Sequence, residues 1–342
     1  MKYLLKTILF HLLDILSINS LFRFLNRKKA IILWYHGICG NEVHLNNKYE
    51  MRHVQKSSFL RQLKYLKKKG YSFVTMSQLL NALANNSKIY KFVTLTFDDG
   101  FKNVMENAYP VMLQLNAKGC FYLVTDIIGG KRLLWTDYID VMIGNQNTGK
   151  YEFFFKGEKV CYMLNTVEDY INTMTDIKQK LRSISNKERI EHMKQFNFND
   201  QEIKHVPQEF ITTNWLEIKN CDKKVLEIGS HTATHPNCTN LRSKVEFKKE
   251  LKESKSKTEQ MVGYDVNHFS YPAGDYNSEI IKKLKDYGYK SAVTIIPGFN
   301  DKNTDLFQLR RIGVSDNFLA FKAHTSGSYI ALRELCNKLK GK

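Results

Sequence analysis

The sequence runs Val93-Thr94-Leu95-Thr96-Phe97-Asp98-Asp99-Gly100 at the point that decides the fold. This stretch predicts a buried strand that ends at two adjacent carboxylates and a glycine. Much later in the chain, a second short apolar strand at 225–228 leads into His231 and His235. Two carboxylates and two histidines, each at the end of a strand, form a candidate site for one divalent metal with a spare carboxylate beside it. Such a set of groups suits hydrolytic chemistry.

Strands and helices alternate on both sides of this stretch. The alternation predicts a parallel sheet covered by helices. Every candidate site residue follows the C-terminal end of a strand, which is the face where sites assemble in parallel α/β folds. The predicted strands are 30–35, 71–74, 92–97, 120–124, 225–228, 267–271, 291–295 and 309–314, and the predicted helices are 58–69, 76–84, 103–116, 245–261 and 278–287.

The first 29 residues stand apart from this pattern. An apolar helix is predicted at 3–16, but Lys6, His11 and Asp14 interrupt it, so it is too polar to span a membrane. The same charges argue against a cleaved signal peptide. We expect an amphipathic helix that lies on an anionic membrane surface or, equally, packs on the body of the protein or on an oligomer partner. A basic cluster follows it, at Arg23, Arg27, Lys28 and Lys29.

The middle of the chain breaks the alternation. Residues 150–207 are rich in Lys, Glu, Asn and Gln and have helical periodicity in places, which predicts a mostly helical insertion with no evident chemistry. We therefore expect one domain at 30–330 that contains this insertion. The N-terminal helix and basic linker at 1–29 precede the domain, and a basic tail at 331–342 follows it.

Composition limits the class of protein. With 342 residues and 43% hydrophobic content, the chain can bury a large core. The formal net charge of +18 favours anionic partners, although lysines on solvated helix faces also account for it. No nucleic-acid-binding motif is present, so we expect no nucleic-acid partner. Six scattered cysteines without a C-x-x-C pair predict free thiols in a reducing compartment. We expect a cytoplasmic protein, peripheral at the inner face of the membrane if the first helix binds lipid, with export left open.

Three motifs together resemble the polysaccharide deacetylases, also called the NodB-homology or carbohydrate esterase family 4 proteins. They are Thr96-Phe97-Asp98-Asp99-Gly100, His231-Thr232-Ala233-Thr234-His235-Pro236 and Phe269-Ser270-Tyr271-Pro272-Ala273-Gly274. The resemblance covers roughly residues 30–140 and 212–325. It implies a distorted (β/α)7 TIM-like barrel, which agrees with the predicted alternation of strands and helices.

The resemblance also implies roles for particular residues. The metal ligands would be Asp99, His231 and His235, and Asp98 would be the general base. Zinc suits this ligand set, and cobalt or nickel could replace it. The third motif would contact the substrate, with the backbone N–H of Ala273 donating to the oxyanion. The residues predicted there are Tyr271, Pro272, Ala273 and Gly274.

The general acid is less evident. Many family members use a histidine of an L-x-x-H motif near the C-terminus, but His324 lacks that leucine. Trp34-Tyr35-His36-Gly37 is similar to the exopolysaccharide (poly-N-acetylglucosamine) deacetylases, which have an early Tyr-His at the end of the first strand. We predict His36 as the acid. His324, or a purely structural His36, stays open.

One position departs from the family pattern. Many members have arginine where this chain has Ser270, and that arginine orients the base. Arg311, on a later strand, is predicted to replace it through an ion pair with Asp98. Because neighbouring residues of a strand face opposite sides, Arg310 is the alternative. Trp135 and Trp215 either line a sugar-binding cleft or belong to the core.

These residues predict a metal-dependent enzyme that removes the N-acetyl group from an amino sugar of the GlcNAc type, in a polysaccharide or a lipid-linked glycan. Two alternatives stay open. One is an amidase of the same fold that acts on a small non-peptide amide. The other is a non-catalytic carbohydrate-binding protein, which the complete set of predicted ligands disfavours.

Overall fold

The computed structural model describes residues 2–40, 52–85, 89–129, 132–196 and 207–339. Residues 197–206 of the predicted insertion and 340–342 of the predicted tail lie outside these ranges. The strands, in chain order, are β1 (Ile31–Tyr35), β2 (Gly37–Cys39), β3 (His53–Gln55), β4 (Ser72–Phe73), β5 (Phe92–Phe97), β6 (Gly119–Leu123), β7 (Gly149–Phe155), β8 (Glu158–Leu164), β9 (Leu226–Ser230), β10 (His268–Ser270), β11 (Ser291–Val293) and β12 (Ile312–Gly313).

The helices pack mainly on the outside of these strands. Two π-helical segments extend them: Val104–Ala108 precedes the helix at 109–115, and Lys248–Glu253 joins the helices at 244–247 and 254–262. The helices are α1 (Lys2–Ile15), α2 (Ile18–Leu25), α3 (Lys56–Lys68), α4 (Met76–Ala84), α5 (Tyr109–Leu115), α6 (Trp135–Gly144), α7 (Val167–Arg182), α8 (Asn186–Met193), α9 (Trp215–Lys219), α10 (Lys244–Phe247), α11 (Ser254–Val262), α12 (Ser278–Asp286), α13 (Phe318–Ser326) and α14 (Ser328–Leu339).

The main sheet curls into a distorted barrel. Its strands run in the order β11-β10-β9-β6-β5-β1-β12, with β4 beside β5, and all of these pairs are parallel. Leu309 pairs with Val293 of β11, and Ile312 pairs with Leu33 of β1. The short segment 309–313 therefore connects the two edges of the sheet. The predicted distorted (β/α)7 TIM-like barrel is confirmed, and the short strand β4 is an eighth member of its sheet.

Alternation along β5 explains how the barrel holds the site. Val93, Leu95 and Phe97 join the core that packs under α3 and α5, while Thr94 and Thr96 face the other side of the strand. All five of these side chains are fully buried, as expected for a parallel strand covered on both faces. The strand ends at Phe97, so the next two residues emerge at the C-terminal rim of the barrel.

The insertion begins differently from the helical prediction. β7 and β8 form an antiparallel hairpin, and only then do α7 and α8 follow. The run Phe153-Phe154-Phe155 between lysines and glutamates is too short to distinguish a strand from a helix by periodicity. Phe153 and Leu164 of the hairpin pack with Ile177 of α7 in a second hydrophobic core, which α6 shares.

The N-terminal helices lie against the end of the chain. Phe10 and Leu13 of α1 are buried beside α13, and Asp14 forms an ion pair with Lys322 at 2.7 Å. α1 therefore packs on the body of the protein on one side. Across α1, α2 and the turn between them, eight large apolar side chains are exposed: Leu5, Ile8, Leu12, Ile15, Leu16, Leu21, Phe24 and Leu25.

Among the described residues, no single helix is long and apolar enough to cross a bilayer. α1 and α2 meet the length and hydropathy requirements only as a pair, from Leu5 to Leu25, and the pair bends by 71° at its break. At the other end of the chain, the predicted basic tail begins inside α14, so its described part is helical.

Candidate active site

The two carboxylates diverge because the chain turns sharply after β5. Asp99 has φ 75° and Gly100 has φ 89°, both in the left-handed region. A Cβ at Gly100 would lie 2.6 Å from Ile128 Cδ1, so only glycine fits this turn. Asp98 and Asp99 are both 2% exposed, and each carboxylate meets a different set of partners.

Asp99 faces the two histidines of the second motif. Its Oδ1 lies 3.5 Å from His231 Nε2 and 3.6 Å from His235 Nε2, and the three ligand atoms lie within 4.8 Å of one another. This Oδ1 atom is buried and accepts no hydrogen bond from any described residue. A buried oxygen left without a donor beside two imidazole nitrogens fits a divalent cation.

His231 is held in the tautomer that a metal requires. Its Nδ1 lies 2.7 Å from the backbone oxygen of Ser270, so Nδ1 carries the proton and donates it there. Nε2 is then left with a lone pair directed at Asp99. Burial alone would lower the pKa of His231, but the nearby carboxylates of Asp99 and Asp98 raise it above the ordinary value.

The loop that carries the two histidines is fastened by Glu250, which sequence reasoning missed. One carboxylate oxygen of Glu250 accepts the backbone N–H groups of Ala233 and Thr234 at 3.0 and 2.9 Å, and the other accepts the Thr234 hydroxyl at 2.8 Å. Burial raises the pKa of Glu250 despite these bonds. No motif marks this residue, because a glutamate within a helix is common.

His235 is positioned from its backbone. It has φ 57°, and its N–H donates to Thr232 Oγ1 at 2.9 Å. Its carbonyl oxygen accepts from Trp135 Nε1 at 2.9 Å and from Arg189 Nη1 at 3.3 Å. Arg189 belongs to α8, so the insertion helps to hold this loop. Trp135 is buried in the second core and does not line the cavity, and Trp215 packs against the main core.

Asp98 forms a bidentate ion pair with Arg311. Arg311 donates from Nη1 to Oδ1 at 2.9 Å and from Nη2 to Oδ2 at 2.8 Å, and Ser270 Oγ donates to Oδ2 at 3.2 Å. Burial alone would raise the pKa of Asp98, but the guanidinium of Arg311 and the ring of His231 lower it below its ordinary value. Arg310, the alternative partner, is exposed. Ser270 therefore binds Asp98 together with Arg311, and Arg311 occupies the role of the arginine that many family members have at position 270.

His36 reaches the same cavity from the end of β1. Its Nε2 lies 3.9 Å from Asp99 Oδ2, and its side chain keeps 17% of its surface exposed. Burial lowers the pKa of His36, and the charge of Asp99 opposes that effect. His324 lies elsewhere, stacked on Tyr329 and packed against Phe10, and it does not line the cavity that holds the carboxylates.

A further cluster, also missed from the sequence, supports the second oxygen of Asp99. Arg52 Nη1 lies 3.4 Å from Asp99 Oδ2, and its Nη2 contacts both Asp137 and Asp140 of α6. Lys178 of α7 pairs with Asp140 at 2.5 Å. The insertion, predicted to carry no chemistry, thus supplies a buried cation, Lys178, that is linked to Asp99 through Asp140 and Arg52. Isolated charges in separate helices give no signal in the sequence.

The third motif forms one wall. Tyr271 and Ala273 line the cavity, which has a volume of about 380 Å³, together with Trp34. Pro272 lies between them and is buried. Ala273 has φ 55° and Gly274 has φ 77°, and a Cβ at Gly274 would lie 2.4 Å from Ile295. The chain is therefore tightly folded where the predicted oxyanion donor lies.

Comparison with known proteins places this site in a family. The model of the polysaccharide deacetylase family matches residues 85–292, which is more than half of the chain. The chain belongs to the polysaccharide deacetylase family. This deacetylase is 22% identical over 289 residues to YxkH of Bacillus subtilis (strain 168), a protein named as a polysaccharide deacetylase. That alignment covers 84% of this chain and 72% of the relative.

Solved structures show the same fold. The Streptococcus pyogenes deacetylase PplD, in complex with acetate, superposes with a TM-score of 0.56 at 19% identity, over 84% of this deacetylase and 93% of that chain. IcaB from Ammonifex degensii also superposes with a TM-score of 0.56, at 16% identity, over 87% of this deacetylase and 97% of that chain. These structures show the fold, and membership of the family makes the protein a hydrolase that deacetylates a polysaccharide.

Proposed function

We propose that this deacetylase removes the N-acetyl group from an amino sugar of the GlcNAc type, within a polysaccharide or a lipid-linked glycan, and that it depends on a divalent metal, most suitably zinc. The observation that carries the proposal is the buried Asp99 Oδ1 atom between two imidazole nitrogens. An ionised carboxylate, Asp98, lies beside this group. A protein of the same fold, from Aggregatibacter actinomycetemcomitans, is described as a de-N-acetylase, and its structure superposes with a TM-score of 0.52 at 16% identity.

Each residue of the site would have a separate role in the hydrolysis. A divalent metal held by Asp99, His231 and His235 would polarise the acyl oxygen and lower the pKa of the attacking water. Asp98, kept ionised by Arg311, accepts a proton from that water. The backbone N–H of Ala273 donates to the developing oxyanion. His36 then donates a proton to the departing amine.

Metal removal tests this proposal. We expect the chelated protein to release no acetate from N-acetylglucosamine oligosaccharides or from lipid-linked N-acetylglucosamine, and added Zn²⁺, Co²⁺ or Ni²⁺ to restore release. Acetate measured enzymatically across this panel checks the result. Full activity after chelation would contradict the metal dependence. Release from small non-sugar amides alone would support the amidase alternative, and saturable glycan binding without any release would support the non-catalytic one.

We also propose that α1 and α2 attach the enzyme to an anionic membrane surface at its cytoplasmic side. The eight exposed apolar side chains between Leu5 and Leu25 form the contact, and Lys28 and Lys29, in the turn that follows α2, meet anionic headgroups. All six cysteines are free thiols, which supports a reducing compartment. This attachment would place the cavity near a lipid-linked glycan.

Vesicle flotation tests the attachment. The wild-type protein should float with vesicles that contain phosphatidylglycerol and much less with neutral vesicles. Changing Leu16 and Phe24 together to Ser should lower the bound fraction at least tenfold, because each side chain contributes about 1.5–3 kcal/mol when buried. The control is Leu113→Ser, which alters a leucine of α5 that is also half exposed but lies outside the two N-terminal helices. Equal flotation of all three proteins would refute the attachment.

A further inference from the structure

Arg52 connects the candidate metal ligands to the insertion. It directly precedes β3, lines the catalytic cavity and keeps 13% of its side-chain surface exposed. One nitrogen of its guanidinium faces Asp99, and another faces α6. On the basis of the metal dependence proposed above, we propose that Arg52 is a positioning residue for the metal ligand Asp99, and that the insertion keeps Arg52 in place through Lys178.

The two carboxylate oxygens of Asp99 have different neighbours. Oδ1 lies 3.5 Å from His231 Nε2 and 3.6 Å from His235 Nε2. Oδ2 accepts a hydrogen bond from Arg52 Nη1 at 3.4 Å. Because a guanidinium N–H occupies Oδ2, Oδ1 is the oxygen that remains for a metal. A carboxylate that ligates through one oxygen leaves positions on the metal open for water and substrate, as a catalytic site requires.

Buried charges fix the orientation of Arg52 in turn. Its Nη2 contacts Asp137 and lies 3.3 Å from Asp140 Oδ2. Lys178 of α7 pairs with Asp140 at 2.5 Å, and all three of these α6 and α7 side chains are at most 1% exposed. Since a guanidinium is a planar fork, it can donate toward Asp99 and toward α6 in a single orientation. Asp140 lies between two cations, so Lys178 helps to fix the carboxylate that holds Arg52.

The insertion also contacts a second candidate ligand. Arg189 of α8 donates from Nη1 to the backbone oxygen of His235 at 3.3 Å, and its guanidinium lies 4.6 Å from the centre of the Trp135 ring. The indole Nε1 of Trp135 donates to the same oxygen at 2.9 Å. The insertion thus reaches two of the three candidate metal ligands, one directly and the other through Arg52. This arrangement assigns it a role in metal binding rather than a purely peripheral place.

Zinc affinity tests the role of Arg52 without requiring turnover. Arg52→Gln should raise the Kd for Zn²⁺ by about 10–100-fold, the usual effect of removing a group that orients a metal ligand. Lys178→Met should raise it about tenfold by the same route. The double variant should bind no more weakly than Arg52→Gln alone, because Lys178 acts through Arg52. Competition with a chromophoric chelator measures the Kd, and circular dichroism checks that each variant is folded.

Two further variants separate positioning from loss of charge. Arg52→Lys keeps the cation between the buried carboxylates, but a compact ammonium cannot bridge Asp99 and α6, so zinc affinity should still fall about tenfold. The matched control is Lys180→Met on the same helix. Lys180 pairs with Asp176 at 2.6 Å outside the cavity, and its loss should leave zinc affinity unchanged. At saturating Zn²⁺, the KM of Arg52→Lys for an N-acetylglucosamine oligomer should equal that of the wild type, because Arg52 acts through Asp99.

Each other outcome has a definite meaning. Unchanged zinc affinity in both Arg52 variants, beside metal-dependent acetate release by the wild type, would overturn the inference and leave the proposed function standing. A raised KM with unchanged zinc affinity would make Arg52 a substrate contact and would also overturn it. Additive losses in the double variant, or equal losses in Lys178→Met and Lys180→Met, would overturn the link to the insertion. If zinc affinity follows the expected pattern but no N-acetylated sugar loses acetate, the positioning role stands and the proposed function fails.

Discussion

Replacing Asp98 with Asn should lower kcat for acetate release by roughly 10²–10⁴-fold, the range that general-base catalysis contributes. Asparagine keeps the shape of the side chain and accepts one bond from Arg311, but it cannot take a proton from water. Because Asp98 is not one of the three candidate metal ligands, which are Asp99, His231 and His235, the metal content of the variant should stay at the wild-type value. Steady-state kinetics with metal-loaded protein, together with elemental analysis, check both parts of this prediction.

The comparison with Asp99→Asn separates the base from the ligand. That change alters the carboxylate whose Oδ1 lies between the two histidines, so metal content and activity should fall together. Loss of metal from Asp98→Asn would mean that Asp98, rather than Asp99 alone, is a metal ligand. If the variant kept more than about a tenth of the wild-type kcat, another residue would have to be the general base. A change in KM alone would also contradict the assignment, because a base acts in the transition state.

The barrel was predictable because each local pattern agrees with the global fold. Strands such as β5 are buried on both faces and end at polar residues, while helices such as α3 have a single apolar face. The order of the motifs along the chain then places their residues at one rim. The structure brings Asp98, Asp99, His231 and His235 together at that rim, with His36 and Arg311 beside them.

The supporting residues could not be predicted, because their roles arise from tertiary contacts alone. Glu250 lies in the middle of a long helix, and only the folded chain shows that its carboxylate receives the backbone of the histidine loop. Arg52 and Lys178 are far apart in sequence, and they meet only through Asp140 of α6. Each of these residues alone resembles an ordinary surface charge, so no spacing rule identifies it.

The hairpin of the insertion was missed for a different reason. Strand β7 has only one apolar side chain that is buried, Phe153, while Phe154 is 48% exposed. The two-residue period is present, with Tyr151, Phe153 and Phe155 on the packed side of β7, but the exposed aromatic Phe154 and the Lys- and Glu-rich flanks obscure it. The helices that follow have longer apolar faces, and the prediction was closer there.

The second large effect is expected on stability, when Arg311, the ion-pair partner of Asp98, is replaced. Arg311→Met should destabilise the protein by about 3–5 kcal/mol, because it leaves the carboxylate of Asp98 buried without its cation. Arg311 is 1% exposed and also donates from Nε to the backbone oxygen of Thr294 at 2.8 Å, so water cannot easily replace it. Unfolding in urea, followed by circular dichroism, measures the change in the free energy of unfolding.

A double variant distinguishes the ion pair from simple loss of packing. Methionine occupies much of the volume of arginine, so a packing defect would remain when Asp98 is also changed to Asn. If the buried charge is the cause, Arg311→Met with Asp98→Asn should be more stable than Arg311→Met alone. The loss of stability in the double variant should also be smaller than the sum of the two single losses, by a coupling energy of about 1–3 kcal/mol. Strictly additive effects of the two substitutions would mean that the guanidinium does not compensate the carboxylate. The arginine would then act only by filling space beside Trp34, whose ring lies 4.9 Å from its guanidinium carbon.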